Sequence, residues 1–199
     1  MPVTISGSGT ITGIATGGLP DGSIAAGDLA STLDLTGKTV TLPAGTGGKI
    51  LQVVQGSTST EVVVNTTTYT DTGLSASITP TSNTSKILVL VNQSFYVYRT
   101  STSIYTGMRI YRDSTIIHEP VSSAGPLGYE FGTTAGGVSS IGLYGRGSIS
   151  VLDSPASTSA LTYKTSGQPY VTTNAGQVKF QPSDSINGTS YIILLEVAA

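Results

Sequence analysis

The chain has 199 residues, enough for one substantial core or for a compact domain with an appended segment. Only 10% of them are charged, 9 Lys and Arg against 11 Asp and Glu for a net charge of −2, and no basic run offers the positive face that nucleic-acid binding needs, so no nucleic-acid partner is expected. With no cysteine and one histidine, the chain has no disulfide framework, no thiolate nucleophile and no multi-histidine or Cys-ligated metal site, and neither a metal nor a cofactor is expected.

From Met1 to about Gly48 apolar residues are single and far apart, as in Ile5-Ser6-Gly7-Ser8-Gly9-Thr10-Ile11-Thr12-Gly13-Ile14 and Leu19-Pro20-Asp21-Gly22. Such a stretch buries too little surface to offset its own ordering entropy, so its order must come from a partner. Met1-Pro2-Val3-Thr4-Ile5 has no charged, apolar secretory leader and no run reaches membrane-span length, so release by lysis or within a particle, without membrane insertion, is expected. Ala25 to Leu33 is the single helix candidate, with Leu29 and Leu33 on one face. A helix of two turns is marginal alone and must dock. Thr39 to Leu42 alternates as a short strand, and Ala44-Gly45-Thr46-Gly47-Gly48 reads as a linker. It is no phosphate loop, because Pro43 stands where the first glycine belongs and Ile50 follows Lys49 in place of Ser or Thr.

After Lys49 the text turns to β-branched runs separated by Thr, Ser, Asn and Gly. Ile50–Val54, Glu61–Val64, Ala76–Thr79 and Lys86–Val91 read as strands, the last continuing through Phe95-Tyr96-Val97-Tyr98. Met108–Arg112 and Thr115–His118 face each other across Asp113-Ser114, a hairpin with a two-residue connection. Pro120 to Gly137 is a long loop, and Val138 to Leu143 is a strand candidate. Ile149 to Lys164 reads as a second hairpin about Ser154-Pro155, with Asp153 fixing the turn. Val178–Gln181 is a further short strand, and Ser190–Val197 reads as a strand buried on both faces. The expected fold is all-β: an antiparallel jelly-roll-like sandwich over residues 49–199, preceded by an extended N-terminal arm, residues 1–48, that carries one short helix.

Catalytic patterns are sparse. His118 lies in a strand beside Glu119, and no nucleophile-elbow motif occurs. Glu119, Glu130 and Asp153 are the acids near loops from which a glycosidase pair could be drawn, but sequence does not set their separation. Aromatics are more informative. Tyr96, Tyr98 and Tyr105 bracket Arg99-Thr100-Ser101-Thr102-Ser103, while Tyr129, Phe131, Tyr144 and Arg146 punctuate the Gly-rich region. Tyrosines on loops of a rigid sandwich suit stacking on sugars, and they equally suit core edges or subunit interfaces with a wet hydroxyl. The segments around Tyr144-Gly145-Arg146 and Ser166-Gly167-Gln168 are expected to be loops. Tyr98, Arg99, Tyr105, Tyr129, Phe131, Tyr144, Arg146 and Gln168 are therefore the candidate binding contacts.

The N-terminal Ile5–Ile14 run, Leu19-Pro20-Asp21-Gly22-Ser23-Ile24 and Asp28-Leu29-Ala30, together with Thr70-Asp71-Thr72-Gly73-Leu74-Ser75-Ala76-Ser77-Ile78-Thr79-Pro80, Ser85-Lys86-Ile87-Leu88-Val89, Arg112-Asp113-Ser114-Thr115 and Leu152-Asp153-Ser154-Pro155, span most of the chain. In these motifs the sequence resembles small tail-fibre and virion structural proteins of marine and cyanobacterial bacteriophages. The resemblance implies a homotrimeric β-rich appendage on the virion surface. Its N-terminal segment would attach to another virion protein of the tail hub, baseplate or capsid, with Ile5, Ile11, Ile14, Leu19, Leu29 and Leu33 packing the attachment and trimer contacts. Its distal sandwich would contact a host cell-surface glycan. A head-decoration protein with the same leader is the structural alternative, and a polysaccharide depolymerase the enzymatic one.

Overall fold

The structure, a computed structural model, describes residues 49–100, 103–119, 131–132, 139–183 and 188–199. All belong to the second of two compact units, Gly47–Ala199. The candidate helix over 25–33, the strand over 39–42, Ile5, Ile11, Ile14, Leu19, Leu29, Leu33, Tyr129 and Glu130 lie outside the described residues.

Strands follow one another as β1 (Ile50–Thr58), β2 (Val62–Val64), β3 (Thr70–Ile78), β4 (Lys86–Arg99), β5 (Ser103–Ile104), β6 (Thr106–Arg112), β7 (Thr115–His118), β8 (Phe131–Gly132), β9 (Ile141–Asp153), β10 (Leu161–Pro169), β11 (Gln177–Phe180) and β12 (Ser190–Val197). They form two antiparallel sheets packed as a sandwich, the expected fold class. Sheet A contains β1, β12, β4, β9, β11 and β2; sheet B runs β3-β10-β6-β7; β5 and β8 pair separately. Sheet A is organised by β4. One edge of this 14-residue strand pairs with β9 from Ile87 to Arg99. The opposite edge is divided: Lys86 to Asn92 pair with β12, and Phe95 to Tyr98 pair with β11. β1 then adds to β12, and β2 to β11.

The break falls at Gln93 and Ser94, where two strands meet end to end and leave backbone groups of β4 without a ladder partner. Such groups must be satisfied when buried. Ser94 N donates to Ser190 Oγ (2.9 Å), and Gln181 N donates to Ser94 O (3.1 Å). Gln181 follows the last residue of β11 with φ 49, a left-handed turn that takes the chain out of the sheet. Its amide is satisfied at both ends when the nitrogen donates to the carbonyls of Thr72 (3.0 Å) and Thr60 (3.1 Å) and the oxygen accepts from Ser190 Oγ (2.8 Å) and Gln93 Nε2. Gln93 Nε2 also donates to Ser190 Oγ (3.0 Å), and Gln93 Oε1 accepts from Thr165 Oγ1 (2.9 Å), which lies 2.5 Å from Thr72 Oγ1. Thr72, Gln93, Thr165, Gln181 and Ser190 are all fully buried.

This polar belt crosses from sheet A to sheet B and divides the core. On one side pack Leu74, Ile78, Ile87, Val89, Ile110, Tyr163, Ile192 and Leu194; on the other, Val64, Phe95, Val97, Met108, Val178 and Phe180. Gly167 of β10 faces the Phe180 ring so closely that no Cβ fits between them. At the margin, Arg112 Nη1 of sheet B donates to both carboxylate oxygens of Asp153 in sheet A (2.7 and 2.6 Å), and Tyr163 Oη donates to Asp153 Oδ2 (2.7 Å). Burial first, then the hydrogen bond to Asp153 and its charge, push the Tyr163 phenol far up, so it remains a donor.

Four expectations are corrected. Ile149–Lys164 is not a hairpin: β9 pairs β4 in sheet A, while β10 pairs β3 and β6 in sheet B, so Ser154–Ala160 carries the chain from one sheet to the other. Asp153 therefore ties the two sheets through Arg112 rather than holding a turn. Tyr144–Arg146 and Ser166–Gln168 are not loops, since each lies inside a strand that continues through Gly- and Ser-rich text with little apolar alternation. β12 is buried on one face only, with Tyr191, Ile193, Leu195 and Val197 partly open on the other. The β6/β7 hairpin is as expected, with Arg112 opposite Thr115.

Replacing Ser190 with Ala removes the hydroxyl shared by Gln93, Ser94 and Gln181. A loss of about 2 kcal/mol is expected, since buried partners are left unsatisfied. A urea midpoint within error of the wild type would refute that role. Glu196 supplies a pH handle. Its carboxylate is fully buried, and burial alone would push it up. Hydrogen bonds from Thr81 Oγ1 (2.7 Å), Gln52 Nε2 (2.6 Å) and Thr81 N (2.7 Å) outweigh burial and lower its pKa to about 2. Because the folded value lies below the unfolded one, this stabilisation is present above about pH 4.5 and is lost as pH falls towards 2. Thermal melts of Glu196→Gln should lack the acid-side fall in that window; a fall equal to the wild type's would show that other groups cause it.

Candidate interaction face

Side chains alternate across each strand, so every sheet has one inward and one outward set. On sheet B the outward set is polar and ion-paired. Lys164 Nζ donates to Asp71 Oδ2 (2.8 Å), Arg109 pairs with Glu119 and lies 3.7 Å over the Tyr69 ring, and Ser77 and Thr162 share a hydroxyl contact (2.9 Å). Ile116 at its edge is the exposed aliphatic there.

Sheet A has the opposite character. Its register aligns Val53, Leu195, Leu88 and Leu152 in one row across β1, β12, β4 and β9. The next row is Gln55, Ile193, Leu90 and Ser150, and the one after it Ser57, Tyr191, Asn92 and Ser148. Val53 is 59% exposed, Leu152 55%, Tyr191 40% and Leu90 36%. Leu90, Asn92, Ser148, Ser150, Tyr191 and Ile193 line a shallow groove between them.

Beyond Arg146, which lies opposite Ser94 and donates to Asn92 Oδ1 (2.8 Å) and Thr189 O (3.1 Å), the face becomes aromatic. Tyr96 pairs with Tyr144 across β4 and β9 with ring centroids 4.4 Å apart, and Tyr98 stacks on Tyr96 at 6.4 Å. Gly142 opposite Tyr98 leaves the space that the Tyr96 hydroxyl end occupies. Among the described residues of the strands, the ionisable groups of this face are cationic: Lys86 at one end, Arg146, and Lys179, whose partner is Glu61 (3.7 Å).

The candidate contacts therefore do not form one cluster. Tyr98, Tyr144 and Arg146 share the outer face of sheet A with Tyr96, which the sequence placed beside them without a role. Gln168 lies on the outward side of sheet B opposite Gly107. Tyr105 packs edge-on against Tyr170 (5.7 Å) at the end of the sandwich where Arg99 donates to Thr173 O (3.3 Å) and Thr100 N to Asn174 O (2.7 Å). Phe131 lies in β8, paired with Ile104. The aliphatic row was missed because Val53, Leu88, Leu152 and Leu195 come from four separate strands and read individually as core residues.

Of the acids considered for catalysis, Glu119 and Asp153 are held in ion pairs, and Glu130 lies outside the described residues. Glu119 pairs with Arg109, and Asp153 accepts two bonds from Arg112 and one from Tyr163. Among the described residues no three of His, Asp and Glu come together as metal ligands, and no helix is long and apolar enough to cross a membrane.

No protein-family model matches the sequence, and no curated protein matches it. Among solved structures, the chain is similar to the infectious bursal disease virus VP2 subviral particle, with a TM-score of 0.34, 12% identity, and coverage of 86% of this chain and 46% of that one. A structure of the Gx strain of infectious bursal disease virus gives a TM-score of 0.31 and 14% identity over 81% of this chain and 42% of that one. The chain thus spans less than half the length of either, and a likeness at these scores carries no weight for function.

Proposed function

We propose that this chain is a non-enzymatic structural subunit of a bacteriophage particle: a homotrimeric tail-fibre subunit that attaches to another virion protein through residues 1–48 and presents its sandwich to the host surface. The observation that carries the reading is the asymmetry of the two outward faces. Sheet B is covered by ion pairs and hydroxyls, whereas sheet A leaves an aliphatic and tyrosine surface open, with a few cationic side chains at its margins and between its two halves. Contiguous apolar surface of this kind marks an interaction site, as in a subunit built to be packed in an assembly. The motifs quoted above supply the phage context. Host contact, with a surface glycan as the ligand, falls to the end of the sandwich that carries Arg99, Tyr105 and Tyr170, where rings and hydroxyls lie together.

Antibody or gold labelling of intact particles tests the assignment. Label at the tail tip is expected, and label spread over the head would replace the fibre with a decoration protein. Incubating purified protein with host surface polysaccharide should leave its chain length unchanged; shortening would overturn the non-enzymatic reading.

A further inference from the structure

We propose that the outer face of sheet A is the surface by which copies of this chain pack on one another. The inference rests on the oligomeric reading above and deepens it by naming the surface. Three properties select a second copy as the occupant.

The first is chemistry. The rows Val53-Leu195-Leu88-Leu152 and Ile193-Leu90 present branched aliphatic side chains with no ionisable group between them. A glycan needs hydrogen-bond partners around each stacked ring, and the row Val53-Leu195-Leu88-Leu152 offers none from its side chains. A charged partner would lose its hydration against them without compensation. The occupant of these rows must be apolar and uncharged, which describes the same rows on another copy and not the ion-paired face of sheet B.

The second is size. The outward residues of β4 from Leu88 to Tyr98 cover about 33 Å, and four strands make the face about 19 Å wide. That footprint, roughly 600 Å² before side-chain relief, approaches the ~800 Å² each partner contributes to a stable interface. Either half alone would be too small, so the tyrosine strip belongs to the same contact.

The third is the composition of the strip. Tyr96, Tyr98 and Tyr144 are rigid amphipathic rings of the kind enriched at interfaces, and they continue the aliphatic rows along β4 and β9. Two such faces cover each other across a two-fold axis, and three cover one another when turned towards a common axis. The consequence is a reassignment: Tyr98 and Tyr144 meet a neighbouring copy along the face, and Arg146 sits among them to hold Asn92 and the Thr189 carbonyl. Host contact is left to side chains off this face.

The absence of cysteine makes the test clean. In the full-length protein, Val53→Cys and Leu152→Cys would each be compared with Thr162→Cys on sheet B. Alkylation of the first two at least tenfold more slowly is expected, although both positions are more than half exposed in the single chain. Nitration of the unmodified protein gives the same readout without substitution. Tyr144, Tyr191 and Tyr170 are similarly exposed in one chain, at 47%, 40% and 41%, so Tyr144 and Tyr191 should be modified severalfold less than Tyr170. Equal rates, or a monomeric mass by light scattering, would overturn the proposal. So would protection of the face that comes only on adding host polysaccharide. Equal rates in a protein that still labels the tail tip would remove this inference alone.

Discussion

The arrangement depends on one constraint: β4 is longer than any strand available to pair with one of its edges. β12 and β11 divide that edge, and wherever two strands abut, the backbone between them needs partners that no ladder provides. Ser190 begins one strand and Gln181 directly follows the other, so their side chains sit at the break by position. The belt they form with Gln93, Thr72 and Thr165 is satisfied throughout, which makes a buried polar layer tolerable and specific. A slip of β12 or β11 along β4 by one residue would strand those groups in an apolar core and turn every side chain of the strand to the wrong face.

The same register produces the outer face. Because β1, β12, β4 and β9 are locked by the belt and by inward packing, their outward residues fall into straight cross-strand rows. Val53, Leu195, Leu88 and Leu152 become neighbours only through that locking. Charge is distributed accordingly. Asp71, Arg109, Glu119 and Lys164 pair on sheet B, Arg112 and Asp153 tie the two sheets, and Glu196 is buried under Thr81 and Gln52. With so few ionisable groups in the chain, this placement leaves most of sheet A uncharged.

Much of the strand text was legible because alternation is a local property. Ser190–Val197 and the hairpin about Asp113-Ser114 were read directly, the second because its turn and both strands are contiguous. Ile149–Lys164 misled for the same reason: two alternating runs about a proline look alike whether they fold on each other or part into different sheets. The difference lies in their partners, since β9 needs the free edge of β4 and β10 needs β3 and β6. Glu196 gave no sign of being buried, because Thr81 and Gln52 lie more than a hundred residues away.

By itself, then, the sequence determined the all-β character, the change of text at Lys49, and the shortage of chemistry-bearing residues, since composition and period-two patterning are carried by each segment alone. Tertiary structure alone decided which strands share a sheet, where the polar belt closes, and that one face is apolar while the other is ion-paired. The physical reason is that strand pairing is non-local: an outward leucine and an inward one are the same letter until the register of the whole sheet assigns each to water or to core.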